Sequence, residues 1–260
     1  MKCKEVIKCL ELLVPPHLAE SWDNVGLLVG DAEKEIRKIM LALDPSEDVI
    51  SQAIEVGADL LITHHPLIFS GMKSVTTESY VGKRVCRLMR HDIACYTMHT
   101  NFDATGMAKT VADLLHLKEC RPLEPVSEDG KADLGIGRIG ELDVAITLKE
   151  FACHVKEVFR LPDVRVFGEA DRLIRCVALV PGSGKEYAKC AMEQGAEVLI
   201  TGDVGHHHGQ DAAAQGMAVM DAGHYGLEKV FSSHMEEVLR RELPQTEIIK
   251  AQEKEPFWVI

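Results

Sequence analysis

Short apolar runs, each closed by turn residues and followed by helical spacing, recur along this chain. The opening stretch MKCKEVIKCLELLVPP interleaves Lys2, Lys4 and Lys8 with apolar positions, the pattern of an amphipathic helix and not of a signal peptide. LALDPS at 41–46 leads through a helical stretch to AIEVGADLLIT at 53–63, with Gly57 as the expected C-cap. VALVPGS at 177–183 leads in the same way to AMEQGAEVLIT at 191–201, with Gly195 in the corresponding place. Farther on, HYGLEKVFSSHMEEVLRREL reads as helix, and the tail TEIIKAQEKEPFWVI offers one or two short strands returning to the first domain.

The two eleven-residue segments share seven identities at an offset of 138 residues. Each half therefore reads as a βαβ unit, and a strand that returns after a helix implies parallel pairing. We expect an α/β fold of two α/β domains related by an internal pseudo-repeat. Residues 119–140, rich in Pro, Gly and charge, are the expected boundary. The first domain is taken as 1–125 with 225–260, and the second as 126–224.

Composition narrows the function classes. The 260 residues carry a formal net charge of -12, which disfavours nonspecific attraction to nucleic acid or to an anionic membrane. No apolar run approaches the roughly 20 residues a bilayer requires. Eight cysteines, none in a CxxC pair, read as free and mostly buried thiols in a reducing cytoplasm.

The twelve histidines gather where the expected strands end. In LLITHHPLIF at 60–69, Pro66 cannot donate to a ladder, so the strand stops near His64 and His65. Adjacent side chains on an extended backbone point to opposite sides, which suits two ions flanking the strand end better than one ion gripped by both. YTMHTNFDAT at 96–105 adds His99 and Asp103; Asp103 is either a ligand or the N-cap of a helix starting near Ala104. VMDAGHYGLEKV at 219–230 places His224 and Glu228 on one helical face, as a metal pair or as a surface hydrogen-bonded pair. Three such groups at strand ends favour a dinuclear site.

Other segments leave alternatives open. TGDVGHHHGQDA, with Asp203, His206, His207 and His208, is either a solvated loop or a substrate-contacting loop beside the metals, and Asp203 and His206 are its better candidates. In SWDNVGLLVGD at 21–31, Trp22 and Asn24 either pack structurally or line the mouth of the site. Lys73, Lys83 and Arg84 are phosphate-binding candidates, with a solvated charged face the favoured reading.

The segments SWDNVGLLVG, LLITHHPLIF, HTNFDA, LITGDVGHH, DAGHYGLE and EPFWVI, in this order, resemble the Ngg-interacting-factor-three-like family, whose members are often labelled GTP cyclohydrolase I type 2 homologues. The resemblance runs nearly end to end. It implies a two-domain subunit, a toroidal homohexamer built as a trimer of dimers, and a dinuclear metal site between the domains. It would place His65 and Asp103 on one metal and His64 and His224 on the other, with Glu228 bridging and His99 a neighbour. Related sequences commonly carry an acidic residue at the position of His208 and a basic one at Gly205, and longer members carry an inserted domain absent from this short form.

Two divalent cations about 3.5–4 Å apart can share a water and lower its pKa towards neutrality, so the expectation is a metal-dependent hydrolase. Imidazole and carboxylate donors suit zinc, iron or manganese. The family label points to opening of the guanine imidazole ring of GTP with loss of formate. Phosphoester hydrolysis on a nucleotide is the parallel possibility, and no GxxxxGK[ST] loop is present to cradle a triphosphate. Glu228, Asp203 and His206 are the candidate catalytic residues. The alternative class is non-enzymatic: metal trafficking, or a regulatory metallo-scaffold.

Overall fold

The computed structural model describes residues 1–126 and 133–259. Contact density divides the chain into two compact units, 1–102 with 231–260 and 103–230. The expected cuts were at 125/126 and 224/225, so the second unit takes in residues from both flanks.

In the first unit, α1 (Cys3–Leu13) buries Cys3, Val6 and Leu10, one apolar residue per turn, as its sequence pattern requires. β1 (Gly26–Val29) and β2 (Lys38–Ala42) follow, then α2 (Glu47–Glu55), capped by Ser46, whose hydroxyl accepts the Val49 N–H at 3.2 Å. Gly57 leaves that helix at φ +65°, a conformation glycine takes without steric cost, and β3 (Leu60–Thr63) begins three residues later. α3 (Tyr80–Arg90) leads to β4 (Ala94–Thr97), which pairs with β3 on the side away from β2. β2, β3 and β4 are parallel, with Ala42 opposite Thr63 and Thr63 opposite Thr97; β1 is antiparallel to β4 at the edge. Met40, Val49, Ile50, Leu61, Leu88 and Cys95 form the core beneath the sheet. A single α-helical turn, α4 (Thr100–Phe102), ends this stretch.

The second unit opens on a π-helical turn over Asp103–Met107, continued by α5 (Ala108–Leu114). The helix therefore starts at Thr100, and Asp103 is not its N-cap, because the helical backbone is already established three residues earlier. β5 (Lys118–Pro125) and β6 (Gly135–Thr147) pair antiparallel, so residues 119–125 and 135–140 of the expected boundary segment are sheet. The rest of that segment, 127–132, lies outside the described residues. α6 (Leu148–Val158) is closed by a reciprocal box between Thr147 and Glu150. β7 (Arg165–Phe167), β8 (Leu173–Leu179), α7 (Ala188–Glu193), β9 (Val198–Thr201), α8 (His206–Ala214), β10 (Ala218–Asp221) and α9 (His224–Glu228) follow. The sheet order is β5-β6-β8-β9-β10-β7, and β8, β9 and β10 run parallel. The expected TGDVGHHHGQ loop becomes helix from His206 onward, with Gly205 as N-cap.

The chain then returns to the first unit. α10 (Val230–Glu242) brings Phe231 against Phe102 and His64, and β11 (Glu247–Lys250) adds to β2 in parallel, which places the tail strand where the sequence pattern put it. Among the described residues no helix is long and apolar enough to cross a membrane.

Leu61 and Leu199 are fully buried at the centres of their respective sheets. Leu61→Ala and Leu199→Ala should each cost about 2–5 kcal/mol through lost burial and a residual cavity. Urea unfolding midpoints indistinguishable from the parent would contradict these core assignments.

Candidate metal centre

Two parallel strands that end in register deliver the first group of side chains. Thr63 and Thr97 are partners, their hydroxyls lie 3.1 Å apart, and His64, His65 and His99 follow directly at the carboxyl ends. Potential ligand atoms of these three imidazoles all lie within 4.8 Å of one another. The expectation that His64 and His65 point apart is not met. The backbone bends at both residues, so strand alternation no longer applies, and their rings lie side by side with centroids 4.9 Å apart. His99 is a full member of the group.

Each ring is held through Nδ1. His64, fully buried, donates to the Met98 carbonyl at 2.9 Å; His65 bonds Asp44 Oδ1 at 2.9 Å; His99 bonds Asp23 Oδ1 at 2.9 Å. Carbonyl and carboxylate oxygens only accept, so the Nδ1–H tautomer is fixed and a neutral ring carries its lone pair at Nε2. Asp23 does more than orient His99, since its Oδ2 also accepts the Thr100 N–H at 3.0 Å and hydroxyl at 2.6 Å, capping α4. Burial pushes the Asp23 carboxyl up, but the bonds from His99 and Thr100 prevail and hold it well below the usual carboxylate range.

The second unit repeats the device. Thr201 and Asp221 are partners at the ends of β9 and β10, and beyond them stand Asp203 and His224. His224 Nδ1 lies 2.8 Å from Asp203 Oδ2, and its Nε2 lies 2.9 Å from Oε2 of the buried Glu228 one helical turn on. Carboxylates thus face both nitrogens of the His224 ring. Asp103 and Glu228 can each offer a carboxylate oxygen within 4.8 Å of one another. Gly182, at φ +73°, leaves the room this needs: a Cβ there would stand 2.2 Å from Glu228 Oε1.

Sequence reasoning did not find Asp23, Asp44 or Glu253. Glu253 accepts the N–H groups of Leu43 and Asp44 at 2.8 and 3.0 Å, fixing the loop that carries the His65 anchor; burial raises its carboxyl. The only local signal was the acidic residue inside the SWDN and LDPS turns. Of the other candidates, His206, His207 and His208 are exposed on the first turn of α8, and Lys73 is exposed. Lys83 and Arg84 both reach Glu47 at 3.7 Å and are engaged in an ion-pair network of their own. Trp22 is exposed, and Asn24 donates to the Ile68 carbonyl at 2.5 Å. All eight cysteines are free, but only Cys3 and Cys95 are buried, so the expectation of mostly buried thiols is corrected.

Imidazoles anchored at Nδ1 and grouped at the carboxyl ends of parallel strands define a class: an α/β protein with a candidate metal-binding cluster of histidine and acidic side chains. The sequence model of Duf34/NIF3 (NGG1p interacting factor 3) matches residues 1–256, and the chain belongs to that family. It is 36% identical over 261 residues to the GTP cyclohydrolase 1 type 2 homolog of Clostridium perfringens, covering 99% of both chains. Among solved structures, it is similar to Staphylococcus aureus hypothetical protein SA1388, with a TM-score of 0.92 and 31% identity over 100% of this chain and 99% of that one. It is also similar to reduced HcgD from Methanocaldococcus jannaschii, with a TM-score of 0.82 and 34% identity over 96% and 97% of the two chains.

Because the folded-state pKa of Asp23 is depressed, its stabilising contribution is present above the unfolded carboxylate value near 4 and is lost as pH falls through the folded value. Asp23→Asn should lower stability at pH 7 by about 1–3 kcal/mol and flatten the acid limb of the stability curve. Thermal melts from pH 7 down to pH 3 that run parallel for parent and variant would contradict this.

Proposed function

We propose that the chain is a dinuclear-metal-binding protein, in which His65 and Asp103 would hold one divalent cation, His64 and His224 the other, and Glu228 would serve both. The observation that carries this reading is the shared anchoring of His64, His65 and His224 at Nδ1 by oxygen acceptors at 2.8–2.9 Å, the support that metal-ligating histidines typically receive. The set suits zinc, iron or manganese.

The reaction we propose is hydrolysis of a nucleotide, either opening of the guanine imidazole ring or cleavage of a phosphoester. Support comes from the name carried by relatives such as the Clostridium perfringens protein, GTP cyclohydrolase 1 type 2 homolog. When bound, the two cations would supply Lewis acidity and lower the pKa of a water. The chain's own groups provide the frame. Asp203 holds the proton on His224 Nδ1, which aims Nε2 at Glu228; Glu228 presents one oxygen to His224 and the other towards Gly182. Asp203 thus acts through His224, and His206, exposed on α8, is left out of the set. The same reading carries a homohexamer built as a trimer of dimers, and free thiols suit a reducing cytoplasm.

Metal analysis after dialysis should find about two divalent cations per chain, falling as pH drops through the histidine range near 6.5 because a protonated imidazole cannot ligate. Occupancy unchanged at pH 5 would exclude histidine ligation. The loaded protein, incubated with a panel of nucleotides, should release formate or phosphate, and His65→Ala should abolish release while leaving the fold intact. Metal bound without turnover, but passed to an apo-acceptor, would replace the hydrolase with metal trafficking.

A further inference from the structure

We propose that Trp22 and Phe69 form a stacking subsite for the planar heteroaromatic base of a nucleotide, beside His99. The inference rests on the nucleotide hydrolase reading and assigns the part of the substrate that reading leaves without a partner. Trp22 is 57% and Phe69 55% exposed, and their ring centroids lie 5.9 Å apart at 49°. Trp22 also meets the His99 imidazole edge-on, at 6.1 Å and 75°. Two large rings thus stand in water against a member of the histidine group.

Both rings are held in place through their neighbours. Asp23, next to Trp22, is bonded to His99 and to Thr100. Asn24 donates to the carbonyl of Ile68, the residue before Phe69, so the segment carrying Trp22 is tied to the segment carrying Phe69. Fixing the backbone before a ligand arrives lowers the ordering cost of binding. A floppy aromatic surface would lack that advantage.

Charge points to the base as the part gripped here. The chain has a net charge of -12, and of the basic residues downstream of the histidine pair Lys83 and Arg84 are engaged with Glu47, which leaves the exposed Lys73 as a lone cation in that stretch. A nucleobase is neutral and presents a π-face that stacks on Trp or Phe without needing a cation.

The chain contains two tryptophans, so Trp258→Phe, in the exposed tail, leaves Trp22 as the sole indole reporter. Guanosine 5′-monophosphate titrated into this metal-loaded variant should quench Trp22 emission saturably, and ribose 5-phosphate should not. By equilibrium dialysis, Trp22→Ala should bind the nucleotide about tenfold or more weakly, within the range base stacking contributes, with metal content equal to the parent. Phe69→Leu should weaken binding in the same direction. Absence of quenching with metal at the parent level would overturn the subsite and leave the metal reading intact. Quenching in protein that retains no metal would support the subsite and count against the metal reading. Equal quenching by ribose 5-phosphate, or an emission shift with protein concentration alone, would overturn it in favour of a phosphate site or of a second copy of this chain covering Trp22.

Discussion

Parallel neighbouring strands finish at the same edge of a sheet, so whatever side chains follow them are brought together by backbone hydrogen bonding alone. In the first unit the register of Thr63 with Thr97 sets this edge, and the contact between the two hydroxyls fixes it locally. In the second unit the register of Thr201 with Asp221 does the same for Asp203 and His224. Thr201 adds a further constraint, because its hydroxyl accepts the Gly184 N–H and donates to the Gly182 carbonyl, shaping the turn that leaves room for Glu228. The chemistry-bearing positions follow from sheet register before any ligand is considered.

Register places the rings, but it does not orient them. Orientation comes from oxygen acceptors, one for each imidazole: the Met98 carbonyl, Asp44, Asp23 and Asp203. A carboxylate behind an imidazole fixes the tautomer and makes the far nitrogen a stronger donor. That gain has a cost for Asp23, whose side chain is fully buried, and four hydrogen bonds offset it, from His99, from the Thr100 N–H and hydroxyl, and from the Asn24 N–H. The acidic excess of the chain is therefore partly functional in placement, since it includes the groups behind three of the four imidazoles.

What could be read from the sequence was whatever is local. Pro66 after two histidines marks the end of β3, the four-residue spacing of His224 and Glu228 marks one helical face, and Gly57 and Gly195 mark helix ends; all of these are short-range steric or periodic signals. The anchors were invisible for the complementary reason. His99 and Asp23 are 76 positions apart, and Glu253 is 210 positions from Leu43, so no window of the chain contains both partners. Two misreadings came from assuming regular backbone where it changes. The bend at His64 and His65 brings together rings that alternation would separate, and the π-helical turn at Asp103 lies inside a helix that capping logic would have begun there. π-Turns of this sort are frequent at functional sites, because the extra residue re-aims a side chain.

The tail strand bears on the same site through a second route. β11 adds to β2 in parallel, and the chain beyond it is pinned to α2 by a reciprocal pair, Gln52 Nε2 to the Gln252 carbonyl at 2.9 Å and the Gln252 N–H to Gln52 Oε1 at 2.8 Å. This brings the Glu253 carboxylate to the N–H groups of Leu43 and Asp44, donors at the end of β2 that would otherwise need water. Burial works against the charge on Glu253, so the carboxylate is retained there at a cost that the two N–H bonds offset. The backbone held in this way belongs to Asp44, and the Asp44 side chain holds His65. A contact made by the last residues of the chain thus reaches an imidazole by way of one intervening residue, and the histidine group of the first unit gains its full support only when residues 231–260 have joined residues 1–102.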